Sequence, residues 1–513
     1  MSEKEFYLGD YIARTDVKPP DQVYIFDTTM RDGEQTPGVT FTIDEKITLA
    51  RQLDRLGVDI IEAGFPITST GESEAVKKIA AEGLNARVAA LARPTQLDVD
   101  KALDTGVDYV HIFIATSDIH LKHKLKMTWE EVKQQSVESV EYAKEHGVTV
   151  EFSPEDATRT EIGNLKEICR AVSEAGADKI NVPDTVGVMT PRVTYEFFKD
   201  LKSVTAVPLS AHAHNDFGQA TANSLAAVEA GAEQVHVCVN GLGERAGNAS
   251  LEEVVMSLIA QYGVKTNIDT RQIAETSDLV QRLSGFYLLP MTPIVGDNAF
   301  THESGIHVHG MLGHPGAYEP LTPEIVGKKR RFVAGKHTGR HAVDSMLEEM
   351  GVHPDQAQLK AISVEVKRLG DMGKKVTDAD LYAIAKSVMD LKEEDRVKLE
   401  QLLVVTGNTV IPTASVTLLV DDEVYNGSGI GNGPIDAAIN AVRNVTGNLG
   451  DITLERFSMK AITGGTDAVA DVTVRLRQDD RYVTSNGVSG DTVMASVDAI
   501  LKGMNRLLSN NQT

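Results

Sequence analysis

The chain is poor in cysteine, with only Cys169 and Cys238 among 513 residues, and it holds a single tryptophan. Both thiols sit inside apolar patterns and predict buried free cysteines, which fits a reducing cytosol and excludes a disulfide framework. Positive charge is also in deficit: 51 Lys and Arg stand against 74 Asp and Glu, for a formal net charge of −23. Without surplus cations to displace counterions, nonspecific nucleic-acid binding is excluded. No apolar run approaches membrane-spanning length. The start, Met1-Ser2-Glu3-Lys4-Glu5-Phe6, leads into no apolar signal core. A cytoplasmic protein with no nucleic-acid and no membrane partner is expected.

What is present is a rhythm. From Val23 to about Gln261 a short β-branched run ends at a polar residue, and a loop and a helix of 3.6-residue period follow. The strand candidates are Val23–Asp27, Asp59–Ala63, Arg87–Ala92, Tyr109–Ile114, Thr149–Ser153, Lys179–Val182, Leu209–His214 and Gln234–Asn240. Helical stretches between them include Asp44–Leu56, Glu72–Glu82, Trp129–His146, Asn164–Ala175, Arg192–Ser203, Gln219–Ala230 and Leu251–Tyr262. Eight such βα units predict an α/β fold, a closed (β/α)8 TIM barrel. A doubly wound open sheet fits less well, because no glycine-rich phosphate loop follows the first strand. The expected organisation is an N-terminal extension (1–22), a catalytic barrel (23–290), linker or lid subdomains (291–402) and a C-terminal α+β domain (403–513).

Chemistry in α/β folds sits at the carboxyl ends of strands. In the seventh candidate, His212 and His214 stand at i and i+2 and so share one face. Two imidazoles on one face are half of a divalent-metal site; a solvated pair is the plain alternative. Asp32, after the first strand, supplies a hard carboxylate, and Asn248, after the eighth, an amide oxygen. The mixed shell suits Mg, Mn or Zn with positions open to substrate. Such an ion would chelate a 2-oxo acid and polarise its ketone. Arg31 would stabilise the developing anion, or else form a loop ion pair with Asp32.

Three runs carry a resemblance: Phe26-Asp27-Thr28-Thr29-Met30-Arg31-Asp32-Gly33-Glu34-Gln35, His212-Ala213-His214-Asn215-Asp216-Phe217-Gly218 and Asn240-Gly241-Leu242-Gly243-Glu244-Arg245-Ala246-Gly247-Asn248. In order and spacing they resemble the isopropylmalate, citramalate and homocitrate synthases, acyltransferases that share a metal-dependent barrel with the hydroxymethylglutaryl-CoA lyases. The resemblance extends over nearly the whole chain. It implies acetyl-CoA and a 2-oxo acid as substrates, and metal ligation by Asp32, His212, His214 and Asn248. It implies that Arg31 contacts the oxo acid and that Glu155, Asn181 and Thr185 line the site, Glu155 in a catalytic role. His111, Ser153 and Pro183, also at strand ends, join the substrate-binding candidates. The fourth strand offers no Arg for a second carboxylate, and Gly64-Phe65-Pro66 suits an uncharged side chain. The runs Gly64-Phe65-Pro66, Phe113-Ile114-Ala115-Thr116-Ser117 and Asn181-Val182-Pro183-Asp184-Thr185 look more like members that take 2-oxoisovalerate than like those that take pyruvate.

After Tyr262 the rhythm stops. The patch Gly296-Asp297-Asn298-Ala299-Phe300-Thr301-His302-Glu303-Ser304-Gly305-Ile306-His307-Val308-His309-Gly310 could hold a second metal, but the resemblance assigns it to a lid subdomain. There His307 matches a base for the acetyl methyl group and Tyr318 its support; His302 and Glu303 are candidates for the same relay. Gly335-Lys336-His337-Thr338-Gly339-Arg340-His341 would meet CoA phosphates or cap a helix. Residues 349–402 read as a solvated helical connector. Two similar β-rich units with one helix each follow, around Tyr425–Val442 and Thr484–Ile500. Gly429-x-Gly431-x-Gly433 is no dinucleotide loop, for it lacks the βαβ context. In the family such a domain binds leucine as feedback inhibitor at a homodimer interface, which makes Gly431 and Gly433 regulatory candidates. Two rivals remain: a metal-dependent barrel hydrolase, whose His-x-His typically lies on the first strand, and an amino-acid-sensing protein with an inactive barrel.

Overall fold

The computed structural model describes residues 6–9, 18–336, 338–372, 376–389, 395–461, 469–479 and 481–509. The chain separates into two compact units, Met1–Phe300 with Glu319–Arg330, and Thr301–Tyr318 with Arg331–Thr513.

In the first unit, β1 (Tyr24–Asp27), β2 (Ile60–Gly64), β3 (Arg87–Ala92), β4 (Tyr109–Ala115), β5 (Thr149–Glu155), β6 (Lys179–Asp184), β7 (Leu209–Ala213) and β8 (Gln234–Val237) form a closed parallel barrel. β8 returns to β1 with His236 opposite Phe26. The sequence rhythm therefore corresponds to a TIM barrel. The helices after the strands are α1 (Ile43–Leu56), α2 (Thr70–Ala80), α3 (Gln96–Leu103), α4 (Trp129–Glu145), α5 (Ile162–Glu174), α6 (Pro191–Lys202), α7 (Ala220–Glu229) and α8 (Leu251–Tyr262). Their starts are chemically marked: Thr42 with Glu45 and Thr128 with Glu131 form reciprocal capping boxes on α1 and α4. α1 stops at Gly57, whose φ is 91° and where a Cβ would fall on the carbonyl of Asn267.

The main core lies between strands and helices, with Leu49, Leu53, Ile61, Val110, Ile168 and Val235 fully buried. Inside the barrel, Phe26, Ile60, Ala89 and Tyr109 make a separate small cluster. Above it the inward positions turn polar, and this is what the site is built from.

β8 ends earlier than the apolar run suggests. Asn240 takes φ 61° within a 3-10 turn, Val239–Gly241. Its N–H donates to Glu252 at 2.9 Å and its amide to the Ser277 carbonyl at 3.0 Å, so it leaves the ladder.

In the second unit, β9 (Thr301–His302) pairs with β10 (Arg331–Phe332), and α9 (Gly305–Gly313) and α10 (Arg340–Glu349) accompany them. α11 (Gln356–Asp371) and α12 (Asp378–Met389) correct the reading of 349–402 as a solvated connector. Leu359, Ile362, Val366, Leu381 and Ala385 are buried with Val343 and Leu347 in a core of their own. Lys360, Lys367, Arg368, Asp371 and Asp380 lie exposed on the outer faces of these helices.

Two three-stranded antiparallel sheets follow: β11 (Val397–Val405), β12 (Thr413–Val420) and β13 (Glu423–Ile430), then β14 (Thr453–Ala461), β15 (Ala470–Gln478) and β16 (Arg481–Ser489). Each sheet is followed by one helix, α13 (Pro434–Thr446) or α14 (Thr492–Ser509), and both halves share one core. The glycines here answer to packing. A Cβ on Gly429 or Gly431 would strike the backbone of α13, and one on Gly487 the backbone of α14.

Gly57→Ala is expected to destabilise the barrel by ~2 kcal/mol or more, since both the left-handed φ and the Asn267 carbonyl oppose a side chain. A thermal midpoint lowered by several degrees checks this; an unchanged midpoint refutes it.

Candidate metal centre at the carboxyl end of the barrel

Among the described residues, one group of three His, Cys, Asp or Glu side chains is placed to hold a metal: Asp32, His212 and His214, all buried. Asp32 lies in the turn after β1, His212 on β7, and His214 just past its end, where it bridges to Asn248. His212 Nε2 stands 3.0 Å and His214 Nε2 3.6 Å from Asp32 Oδ2.

The donor atoms fit a cation. Asp32 Oδ2 and Asn248 Oδ1 are buried without a hydrogen-bond partner. Asn248 commits its amide nitrogen to the Leu242 carbonyl at 3.0 Å, leaving the oxygen as its free end. His214 Nδ1 is 3.2 Å from the Asp184 carbonyl, which fixes that nitrogen as donor and leaves a lone pair on Nε2. Burial, helped by neighbouring His212, pushes His214 down to about 4, so it is neutral at physiological pH. Burial opposes ionisation of Asp32, yet Arg31, His212 and His214 together hold it well below the usual carboxylate range. An ionised Asp32 beside a neutral His214 is a donor pair that a divalent cation can use.

Beside the centre runs a chain of hydrogen bonds. Arg31 Nε donates to Glu62 Oε2 at 2.6 Å, with Nη1 3.4 Å from Asp32. Glu62 Oε1 meets His111 Nδ1 at 2.6 Å, and His111 Nε2 meets Ser153 Oγ at 2.6 Å. Asn181 Nδ2 donates to Ser153 Oγ at 2.8 Å. Burial opposes ionisation of Glu62, but Arg31 and His111 keep it below the usual range. Of the sequence candidates, the structure thus joins Arg31, Asp32, His111, Ser153, Asn181, His212, His214 and Asn248.

The other candidates are placed differently. Pro183 is opposite His212 in the β6–β7 register. Thr185 accepts from the Asp156 N–H at 2.9 Å and so steadies the loop after β5. Glu155 ends β5 and pairs with Lys124 at 2.5 Å. His307 and Tyr318 belong to the second unit, their rings 4.2 Å apart. Gly431 and Gly433 lie ahead of α13 in that unit, Gly433 as its N-cap. The patch around His302 and Glu303 forms no metal group among the described residues; the side chain of His309 lies outside them. In the basic turn, Thr338 Oγ1 accepts from the Gly335 N–H at 2.7 Å, and Gly339 is the N-cap of α10 without a side-chain cap hydrogen bond; His337 lies outside the described residues.

Sequence reading passed over Glu62, the partner of both Arg31 and His111. It also missed a deeper layer: Glu151 takes His236 Nε2 at 3.0 Å, the Tyr109 hydroxyl at 2.6 Å and Gln234 Nε2 at 3.0 Å. Burial opposes the charge on Glu151, but His236 overcomes it and lowers the group to about 2. The available signal was the two-residue alternation, which places 109 with 111, 151 with 153 and 234 with 236 on one face.

A closed barrel with a buried Asp and His-x-His cluster at its carboxyl end defines a class, the metal-binding TIM-barrel enzymes. Three family models match the chain in succession: HMGL-like over residues 22–280, a homocitrate synthase post-HMGL domain-like region over 294–374, and a LeuA allosteric (dimerisation) domain over 375–508. The 2-isopropylmalate synthase of Methanocaldococcus jannaschii is 54% identical over 499 residues, with 96% of each chain covered. A probable 2-isopropylmalate synthase of Methanopyrus kandleri is 56% identical, with 95% of this chain and 99% of that one covered. A putative (R)-citramalate synthase of Methanothermobacter thermautotrophicus is 51% identical, with 96% and 99% covered. The chain belongs to the HMGL-like enzyme family, among its 2-isopropylmalate and citramalate synthases. No described helix is long and apolar enough to cross a membrane.

Two outcomes test the centre. His212→Ala and Asp32→Asn are each expected to lower divalent-cation affinity by roughly tenfold or more with the circular-dichroism spectrum unchanged. Full metal content in both variants refutes the assignment. The second concerns Asp27, which burial raises from its ordinary 3.8 to about 7 against the opposing hydrogen bonds of Thr29. A raised folded value means that its stabilising contribution is complete below about pH 4 and fades as pH rises through 7. Asp27→Asn should therefore gain on the parent protein, by up to about 4 kcal/mol, between pH 4 and pH 8 in denaturant titrations. A pH-independent difference contradicts this.

Proposed function

We propose that the protein is a 2-isopropylmalate synthase, condensing acetyl-CoA with 2-oxoisovalerate and hydrolysing the thioester to 2-isopropylmalate and CoA, the first committed step of leucine biosynthesis. The observation that carries this reading is the Asp32–His212–His214 group beside Arg31 in a barrel mouth with an apolar wall. On that wall Phe65 and Phe113 pack edge to face, 6.0 Å between centroids. Arg93, the cation over Phe65, is already spent on Asp98 at 2.7 and 3.0 Å, so the wall offers no free charge to a second carboxylate.

Asp32, His212, His214 and Asn248 would hold a divalent cation, Mn, Mg or Zn, which when bound polarises the ketone of a chelated 2-oxo acid. Arg31, held by Glu62, directs its guanidinium charge at the developing alkoxide. His111, Ser153 and Asn181, locked in one hydrogen-bond chain, orient the oxo acid, with Pro183 and Thr185 beside them. His307, with Tyr318 packed on it, is the base for the acetyl methyl proton, and Glu155 the carboxylate that relays protons at the mouth. In the C-terminal domain Gly431 and Gly433 serve a leucine site of a homodimer. The buried free thiols of Cys169 and Cys238 suit the cytoplasm. A second reading, citramalate synthase with pyruvate as acceptor, is favoured by the relatives that carry that name. The pockets need differ by only two methyl groups, ~1–3 kcal/mol each.

The test is thiol release from acetyl-CoA with Mn or Mg, comparing 2-oxoisovalerate, pyruvate and 2-oxoglutarate. A kcat/KM for 2-oxoisovalerate at least about tenfold above that for pyruvate is expected. Preference for pyruvate moves the protein to citramalate formation; no release with any acceptor overturns the synthase reading.

A further inference from the structure

Between β4 and α4 the chain crosses the barrel rim through a turn of unusual make-up. Leu121–Leu125 is a single π-helical turn, and Lys126, which follows, takes a left-handed φ of 56°. Both conformations cost free energy in a non-glycine segment and gather at functional sites. The turn is pinned from beneath. Ser117 donates to Asp156 at 2.5 Å, His120 Nδ1 lies 3.0 Å from the same carboxylate, and Lys124 pairs with Glu155 at the end of β5.

On this fixed base Lys122, His123 and Lys126 stand exposed, with no carboxylate partner among the described residues. Elsewhere on the barrel surface lysines are commonly neutralised: Lys78 by Glu74, Lys133 by Glu130 and Glu167, Lys144 by Asp178, Lys166 by Asp200, and Lys202 by Glu233. An acidic chain, −23 overall, leaves two lysines and a histidine uncompensated within five residues, at the rim of its own candidate site.

We propose that this turn is the anion-binding element for the nucleotide phosphates of the CoA thioester, with Lys122 and Lys126 as contacts and Lys124 anchoring the turn to Glu155. The inference rests on acetyl-CoA being the donor. CoA carries a diphosphate and a 3′-phosphate, each doubly or nearly doubly charged. A protein with a large negative net charge repels such a ligand at long range, so capture needs a local concentration of positive charge. Lysine serves phosphate as a mobile point charge, which suits a rim contact remote from the reacting carbon.

The test uses the full-length, metal-loaded protein and the double variant Lys122→Ala/Lys126→Ala, with Lys122→Arg/Lys126→Arg as control. CoA, dephospho-CoA and inorganic phosphate are titrated calorimetrically, and KM for acetyl-CoA is measured at low and high salt. The Ala variant should bind CoA about tenfold more weakly and raise KM for acetyl-CoA to match. Its kcat and its KM for the 2-oxo acid should not change. The Arg variant should bind like the parent, and loss of the 3′-phosphate should narrow the gap between parent and Ala variant. Equal CoA affinity in parent and Ala variant overturns the proposal. CoA binding that depends on the turn, without condensation of any acceptor, overturns the synthase reading and leaves this one standing.

Discussion

One buried carboxylate governs the barrel mouth. Glu62 is wholly inaccessible, and its oxygens take the Thr28 hydroxyl at 2.5 Å, Arg31 at 2.6 Å and His111 at 2.6 Å. An ionised carboxylate withdrawn from water costs several kcal/mol unless charge and hydrogen bonds offset it. Glu62 therefore fixes its partners as firmly as they fix it. Arg31 is held beside Asp32. His111 Nδ1 donates to Glu62, its Nε2 is hydrogen-bonded to Ser153 Oγ, and Ser153 accepts from Asn181. The orientation of residues from four other strand ends descends from that one charge.

Below it the pattern repeats. TIM barrels usually fill their interior with branched aliphatic layers; this one places Glu151, Tyr109, Gln234 and His236 there. His236 lies flat on Phe26, centroids 3.9 Å apart, and stands edge-on to both His111 and His212 at 5.4 Å. The deeper pair thus braces two imidazoles of the upper layer. Among the polar atoms of this column that lack a partner, His212 Nδ1, His236 Nδ1 and Asn181 Oδ1 are scattered, whereas Asp32 Oδ2 and Asn248 Oδ1 are oxygens on residues that stand beside the His212–His214 pair and have the chemistry of cation ligands.

How much was legible follows from the range of each interaction. Strand identity is local, so a short apolar run such as Arg87–Ala92 is read to the residue. His212 and His214 were visible because a strand's two-residue alternation needs no tertiary information. Glu62 is passed over in the sequence because its role is defined by Arg31 and His111, 31 and 49 residues distant. β8 was read too long because Asn240 is drawn out of the ladder by Glu252 on the following helix, a contact that strand propensity does not encode. The helices α11 and α12 were read as solvated because composition counts charges but not the face they occupy.

The C-terminal glycines show how a motif divides once packing is known. Gly431 and Gly433 stand two residues apart and share the resemblance's regulatory role. At Gly431 a Cβ would meet the Asp436 and Ala437 backbone, so helix and strand could not approach as they do. At Gly433 the backbone is extended, φ −157°, and a Cβ would meet nothing within 4 Å. The Asn432 N–H is already taken by Asp436 at 2.9 Å, and the Ala437 N–H by the Gly433 carbonyl at 3.0 Å. Gly431 is therefore required by the fold whatever the domain binds. Gly433 carries no such requirement, so it is the position of the two at which a ligand's demand on the backbone can be told apart from the helix's.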